Sequence, residues 1–164
     1  LGGIAKGYAV DRAFDVLVRS GCRNVLVDGG GDVRVGGKRN GGAWRLGIQH
    51  PRKEHGSVLG VVEMKPGALL SSGDYERFQI VNGVRYHHII DLRSGWPARA
   101  AVAVSVLAPT AEQGVVLGKG IFILGAEKGL ALARAEGVDA MLVDSNGQQH
   151  ATDGFREALE TNRF

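Results

Sequence analysis

Imidazole and carboxylate side chains come together in the run Tyr86-His87-His88-Ile89-Ile90-Asp91-Leu92-Arg93-Ser94-Gly95-Trp96-Pro97. Such a pair suits general acid–base chemistry, because histidine titrates near neutral pH and a carboxylate can hold its ring in one tautomer. Along a strand, alternate side chains share a face. His88 and Ile90 then point one way and His87 and Ile89 the other, so one histidine meets a pocket or the core and its neighbour faces away. Two rings at neighbouring strand positions cannot both reach one ion, which argues against a zinc pair. Asp91, at the strand end, either orients a histidine or caps the turn that follows. A lone strand histidine also serves commonly as a hydrogen-bonded structural residue.

Three other segments concentrate Gly, Ser and Asp. Leu1-Gly2-Gly3-Ile4-Ala5-Lys6-Gly7-Tyr8-Ala9-Val10-Asp11 reads as a glycine-rich turn entering a helix. Free N–H groups, the positive helix end and the charge of Lys6 would suit a phosphate there. The spacing matches neither a P-loop nor the dinucleotide fingerprint, so a plain strand-to-helix turn stays open. Asp28-Gly29-Gly30-Gly31-Asp32 reads first as a tight turn between strands, its carboxylates capping nearby N–H groups. Ser71-Ser72-Gly73-Asp74-Tyr75 offers hydroxyl, amide and carboxylate groups at once, as a ligand-holding segment or a surface turn would.

The elements that must position these groups follow from periodicity. Ala9, Val10, Ala13, Phe14, Leu17 and Val18 recur at helical spacing between Ala5 and Ser20, and Gly21 follows as a C-cap. Asn24 to Asp28, Asp32 to Val35, Ala43 to His50 and Val58 to Met64 read as strands. Phe78 to Val81 turns at Asn82-Gly83 into Val84 to Asp91, a strong hairpin signal. After a strand over Ala101 to Leu107, Thr110 caps a helix from Ala111 to Leu124. A second helix runs from Glu127 to Ala135, and Ala140 to Val143 forms a last core strand. Helices and hairpins alternate without a βαβ rhythm, which predicts an α+β domain with a largely antiparallel sheet.

Composition narrows the function classes. The chain has 164 residues, 44% hydrophobic and 23% charged, near the averages of a globular domain and far from disorder. No apolar run approaches the roughly 18 residues of a transmembrane helix. The net charge of +3 favours an anionic ligand such as a nucleotide, but no Lys/Arg stripe points to nucleic acid. Cys22 stands alone, which excludes an internal disulfide and a cysteine metal site; it reads as a small buried thiol. The 26 glycines stand mostly in short clusters between apolar stretches, as turns. The chain opens with a motif already under way and without a starting methionine, which reads as part of a longer protein.

Taken in order, the four segments resemble the ApbE family, the FAD:protein FMN transferases. The family pattern runs roughly GGIAKGYAVD, GGD, TSGDY, HIIDP-x-TG-x-P, then a helix with AD-x-x-x-T before VLG. Here stand Gly2 to Asp11, Gly30-Gly31-Asp32, Ser72-Gly73-Asp74-Tyr75, His88-Ile89-Ile90-Asp91, Ser94-Gly95 with Pro97, and Ile123-Leu124-Gly125. The resemblance implies that residues 1–164 are the C-terminal portion of a single ApbE-like domain. The family's N-terminal part, which supplies much of the flavin-stacking wall, is absent. It implies FAD as substrate and a flavin-acceptor protein as partner, with FMN passed to a Thr or Ser through a phosphoester. It also implies a bacterial cell-envelope or periplasmic setting, often with a lipid anchor, and a Mg²⁺ ion. Ala5 (through its carbonyl), Lys6 and Gly7 would lie at the metal and phosphate end. Ser72, Gly73, Asp74, His88 and Asp91 would line the flavin and catalytic pocket, with His88 as the acid/base.

The sequence departs from that pattern in the helix after Thr110. The family's metal-binding Asp falls on Val115 and its Thr on Lys119, and neither side chain ligates Mg²⁺. Leu92 also replaces the usual Pro after Asp91. Lys119 either sets a fixed positive charge where the metal would sit or carries its charge out to solvent. A flavin-binding or inert paralogue without transferase activity is therefore the alternative reading. A serine hydrolase built from Ser72, His88 and Asp91 lacks the G-x-S-x-G elbow.

Overall fold

The computed structural model describes residues 2–54 and 56–160. Helix α1 spans Ala5–Arg19, as its apolar spacing predicts. It ends where Gly21 adopts φ +92°. The Gly21 N–H then donates to the Val18 carbonyl (3.0 Å) and the Cys22 N–H to the Leu17 carbonyl (3.1 Å). These two bonds satisfy the helix's last carbonyls and turn the chain outward. Cys22 is carried to the surface by that turn, which corrects the expectation of a buried thiol.

Strands β1 (Val25–Asp28), β2 (Val33–Gly36), β3 (Trp44–Gln49) and β4 (Val58–Met64) follow, close to their predicted bounds. Next come β5 (Gly67–Gly73), β6 (Phe78–Val81), β7 (Val84–His87), β8 (Ile90–Asp91), β9 (Trp96–Pro97) and β10 (Ala101–Ala108). Helix α2 (Ala111–Ala135), β11 (Asp139–Asp144), β12 (Gln149–Ala151), α3 (Asp153–Ala158) and β13 (Leu159–Glu160) complete the order. The main sheet runs β1-β2-β5-β10-β11-β12 and is antiparallel throughout. A smaller sheet has the order β13-β4-β3, and β6–β7 and β8–β9 are separate hairpins. The expected α+β architecture with a largely antiparallel sheet is what the chain adopts.

β5 was not expected as a strand. Its Ser71-Ser72-Gly73 reads like a turn, yet it pairs with β2 on one side and β10 on the other. Its alternation serves two cores. Ala68 and Leu70 pack with Val10, Ala111 and Val115 under the helices, while Leu69 packs with Val35, Ile48, Val62, Met141 and Phe155 toward the small sheet. Coverage on both faces also explains β10, which is buried along nearly its whole length and apolar except at Ser105.

Thr110 caps α2 by accepting from the Gln113 N–H at 3.2 Å. Gly125, at φ 77° and ψ −171°, breaks α2 into two parts across a kink. That is the boundary the sequence predicts between Leu124 and Glu127. A second cap comes from far along the chain. The buried carboxylate of Asp11 accepts from the Ala111 N–H (2.9 Å), the Glu112 N–H (3.0 Å) and the Arg34 guanidinium (2.7 Å). One turn earlier on α1, a Cβ at Gly7 would lie 2.6 Å from the Ala111 carbonyl oxygen, so only glycine allows this approach. Asp11→Ala would strand Arg34 and two helix N–H groups at once. The expected loss is about 3 kcal/mol of folding stability, read as a lower urea midpoint. An unchanged midpoint would refute the role assigned to this carboxylate.

Candidate functional site

The first two glycine-rich segments meet at one end of the helix pair. Leu1, where the first segment begins, lies outside the described residues. Lys6, in the opening turn of α1, donates to the Gly30 carbonyl at 2.8 Å and pairs with the Asp32 carboxylate at 3.1 Å. The loop between β1 and β2 is shaped by its own acids. The Gly31 N–H donates to Asp28 Oδ1 at 2.7 Å, and the Gly29 N–H to the Asp32 carbonyl at 2.9 Å. Asp28 thus caps the turn as expected, while the Asp32 side chain turns to Lys6.

α2 brings the third participant. Gly118 faces β5, and a Cβ there would sit 3.7 Å from Ser72 Oγ. Lys119 follows, its stem lying against Gly3, where a Cβ would be 3.6 Å from Cδ. Burial pulls the Lys119 ammonium below the usual lysine range; the charge of Asp32 opposes the shift and that of Lys6 adds to it. Lys6, Asp32 and Lys119 are thereby gathered from α1, the β1–β2 turn and α2, with Ser72 of β5 facing the neighbouring Gly118. Ala5 lies in the same turn of α1 as Lys6.

Asp74 continues the ladder of β5, its N–H donating to the Val102 carbonyl at 3.0 Å. Its buried carboxylate is held by Arg52 in a two-pronged pair at 2.6 and 2.7 Å. Hydrogen bonding to Asp74 raises the Arg52 guanidinium further above its usual range. The Tyr75 ring folds back over Gly73, where a Cβ would overlap it. Burial pushes the Tyr75 hydroxyl up to about 12.

The hairpin β6–β7 carries the histidines, and the predicted alternation holds beyond the end of β7. His87 and Ile89 are buried, while His88 and Ile90 face outward. His87 Nε2 lies 2.9 Å from the Ala98 carbonyl, and its Nδ1 accepts from the Ile89 N–H at 3.3 Å. Its ring packs edge-on against Phe122 of α2 at 5.6 Å. His88 Nδ1 meets the Arg77 carbonyl at 3.3 Å. Asp91 takes the second role open to it. Its carboxylate accepts from the Arg93 N–H at 3.0 Å and the guanidinium at 2.7 and 2.9 Å, capping the turn into β9. Hydrogen bonds from Arg93 hold the Asp91 carboxyl below the usual range.

Among the described residues, the site residues thus fall into a Lys6–Asp32–Lys119–Ser72 group, the Gly73–Asp74 segment, and the exposed His88–Asp91 corner. Arg85 links the last two through the Asp74 carbonyl at 3.5 Å. Arg52, Arg34 and the anchoring of His87 carried no motif signal in the sequence. A cavity of about 700 Å³ lies elsewhere, between 63–68 and 154–158, and no predicted site residue lines it.

The layered fold and these segments coincide with one known family, whose sequence profile, that of the ApbE family, matches residues 1–142. The chain belongs to the ApbE family. It is 34% identical over 161 residues to the FAD:protein FMN transferase of Vibrio cholerae, covering 95% of this chain and 48% of that protein. The enzyme of the same name from Treponema pallidum is 36% identical over 166 residues, with 94% and 46% covered. The crystal structure of the ApbE protein of Thermotoga maritima superposes with a TM-score of 0.90 at 34% identity, over 98% of this chain and 53% of that one. The chain spans about half the length of the curated relatives it matches.

The residues present do not fit a divalent cation. Val115 is buried among Val10, Ala68, Leu70 and Ala111, and Lys119 is itself a cation. The nearby carboxylates are engaged as well: Asp11 by Arg34, Asp32 by Lys6, Asp74 by Arg52 and Asp91 by Arg93. A hard ion needs several free oxygens, and this donor set supplies none from α2.

His87 has a measurable consequence. Its two bonds require the neutral ring, with Nε2–H donating to Ala98 and Nδ1 accepting from Ile89; protonation would set Nδ1–H against the Ile89 N–H. Burial lowers its pKa, opposed by the bond to Ala98 and the charge of Asp74, with His88 and Arg85 adding to the lowering. A histidine whose folded pKa lies below its unfolded value of 6.5 adds stability above that pH. That stability fades as the pH falls toward the folded value. The urea midpoint should therefore drop between about pH 7 and about pH 5. His87→Gln should flatten the dependence, and equal slopes in the two proteins would refute it.

Proposed function

We propose that this chain is the flavin-handling portion of an FAD:protein FMN transferase, moving FMN from FAD to a Thr or Ser hydroxyl of a target protein. The observation that carries the reading is the approach of Lys6 and Lys119 where the start of α1 passes α2, with Ser72 facing the neighbouring Gly118. Two lysines there suit a pyrophosphate, and the family's remaining motifs follow along the chain from β5 to β9. In such a transfer the acceptor oxygen bonds to the FMN phosphorus, the P–O bond to AMP breaks, and the acceptor proton passes to a base. His88, exposed at the hairpin's end and held in place by its buried neighbour, is the residue proposed to take that proton. Positioning and charge neutralisation do most of the work in phosphoryl transfer. Gly73 and Asp74 would shape the flavin pocket, the former because its missing Cβ admits the Tyr75 ring. The kinship also favours a place at the bacterial cell envelope, which fractionation of the whole protein would check.

A second reading, a paralogue that binds flavin without transferring it, is favoured by Val115 and Lys119 at positions where the family has oxygen ligands. AMP release from FAD, with covalent flavin fluorescence appearing on an acceptor in envelope extract, separates the two. The transferase reading expects both signals from the whole protein. It also expects His88→Asn to keep FAD binding while slowing AMP release by roughly 10²- to 10⁴-fold. FAD quenching without AMP release would establish the paralogue instead.

A further inference from the structure

The mismatch between this helix and a metal site has a specific chemical content. Asp32 neutralises Lys6 through the 3.1 Å pair, and Lys6 spends another donor on the Gly30 carbonyl. Lys119 stands apart. Among the described residues no hydrogen bond or ion pair holds its ammonium, although its stem is half-buried against Gly3. Lys6 is thus matched by Asp32, while Asp28 is turned to the Gly31 N–H of its own loop, which leaves the Lys119 ammonium without a carboxylate at hydrogen-bonding distance among the described residues. Val115, one turn earlier on the same helix face, is buried in an apolar cluster, so that position only packs.

We propose that this protein binds the pyrophosphate of its dinucleotide without a divalent cation, with the Lys119 ammonium as the fixed positive charge and Lys6 beside it. The inference rests on the flavin reading above for the identity of the dinucleotide, but the anion site stands on the lysine geometry alone. The burial that lowers the Lys119 pKa agrees with this, because a phosphate would restore the partner that desolvation has cost the ammonium. A lysine presents a point charge with rotatable donors and not an octahedral shell. It can hold a phosphate group without fixing one approach geometry.

The test compares FAD with riboflavin, which lacks the phosphates, by flavin fluorescence quenching in EDTA and in Mg²⁺. FAD should bind more tightly than riboflavin, and the advantage should be the same in both buffers. Lys119→Met keeps the stem and removes the charge; it should cut the FAD advantage by roughly tenfold, while Lys119→Arg retains it. Circular dichroism of both variants confirms that they fold. An advantage that needs Mg²⁺, or one untouched by Lys119→Met, overturns the inference and leaves the flavin reading standing. If neither flavin is quenched, the flavin reading fails, and calorimetry with inorganic pyrophosphate in EDTA decides the anion site. Pyrophosphate binding that Lys119→Met abolishes supports it, and no binding overturns it.

Discussion

The structure depends on one buried carboxylate. Asp11 reaches from the middle of α1 to the first two N–H groups of α2 and to Arg34 of β2. A buried charge is costly unless every lone pair is engaged, and here one guanidinium and two helix N–H groups meet that demand. The bond set also fixes how the helices pass each other. They run in opposite senses, so that moving from Asp11 back along α1 to Gly3 just before it corresponds to moving from Ala111 forward to Lys119 on α2. The cluster at Lys6 and Lys119 is therefore a consequence of a cap made two turns away. Gly7 is part of the same constraint, because any side chain there would push the Ala111 carbonyl aside.

Charge follows a common rule across the candidate site. Asp11, Asp32, Asp74 and Asp91 are each matched by a Lys or Arg at hydrogen-bonding distance. Pairing at these four acids cancels the negative charge that each carboxylate would otherwise set in the candidate site. It also withdraws those carboxylates from metal binding. Lys119 is a partially buried cation left out of this pairing among the described residues, and Val115, one turn earlier, offers it no acid.

The histidine corner divides burial and exposure between neighbours. His87, wedged between the Ala98 carbonyl and the Phe122 ring, fixes the hairpin end to the core. His88 is thereby presented outward on a rigid support. The alternation of faces made this division legible in advance, though not which ring would turn inward. Asp91 is spent on Arg93 and the turn, so that it braces the corner and leaves the His88 ring to the Arg77 carbonyl.

The amino-acid sequence by itself determined the helices, most strands, the Asn82-Gly83 hairpin and the order of the motifs, because these follow from local periodicity, caps and turn chemistry. It marked the break between Leu124 and Glu127, since the glycine between them sits at φ 77°. Tertiary structure alone decided the rest. Ser71-Ser72-Gly73 looks like part of a turn and becomes the end of a central strand because β5 finds ladder partners in β2 and β10. Asp11 with Arg34, and Arg52 with Asp74, are separated by 23 and 22 residues, beyond the reach of any local pattern. Cys22 turned outward because two backbone bonds at the end of α1 outweighed the small gain from burying a thiol. Pairings of this kind form only when distant segments pack, so a sequence can name their members without saying who meets whom.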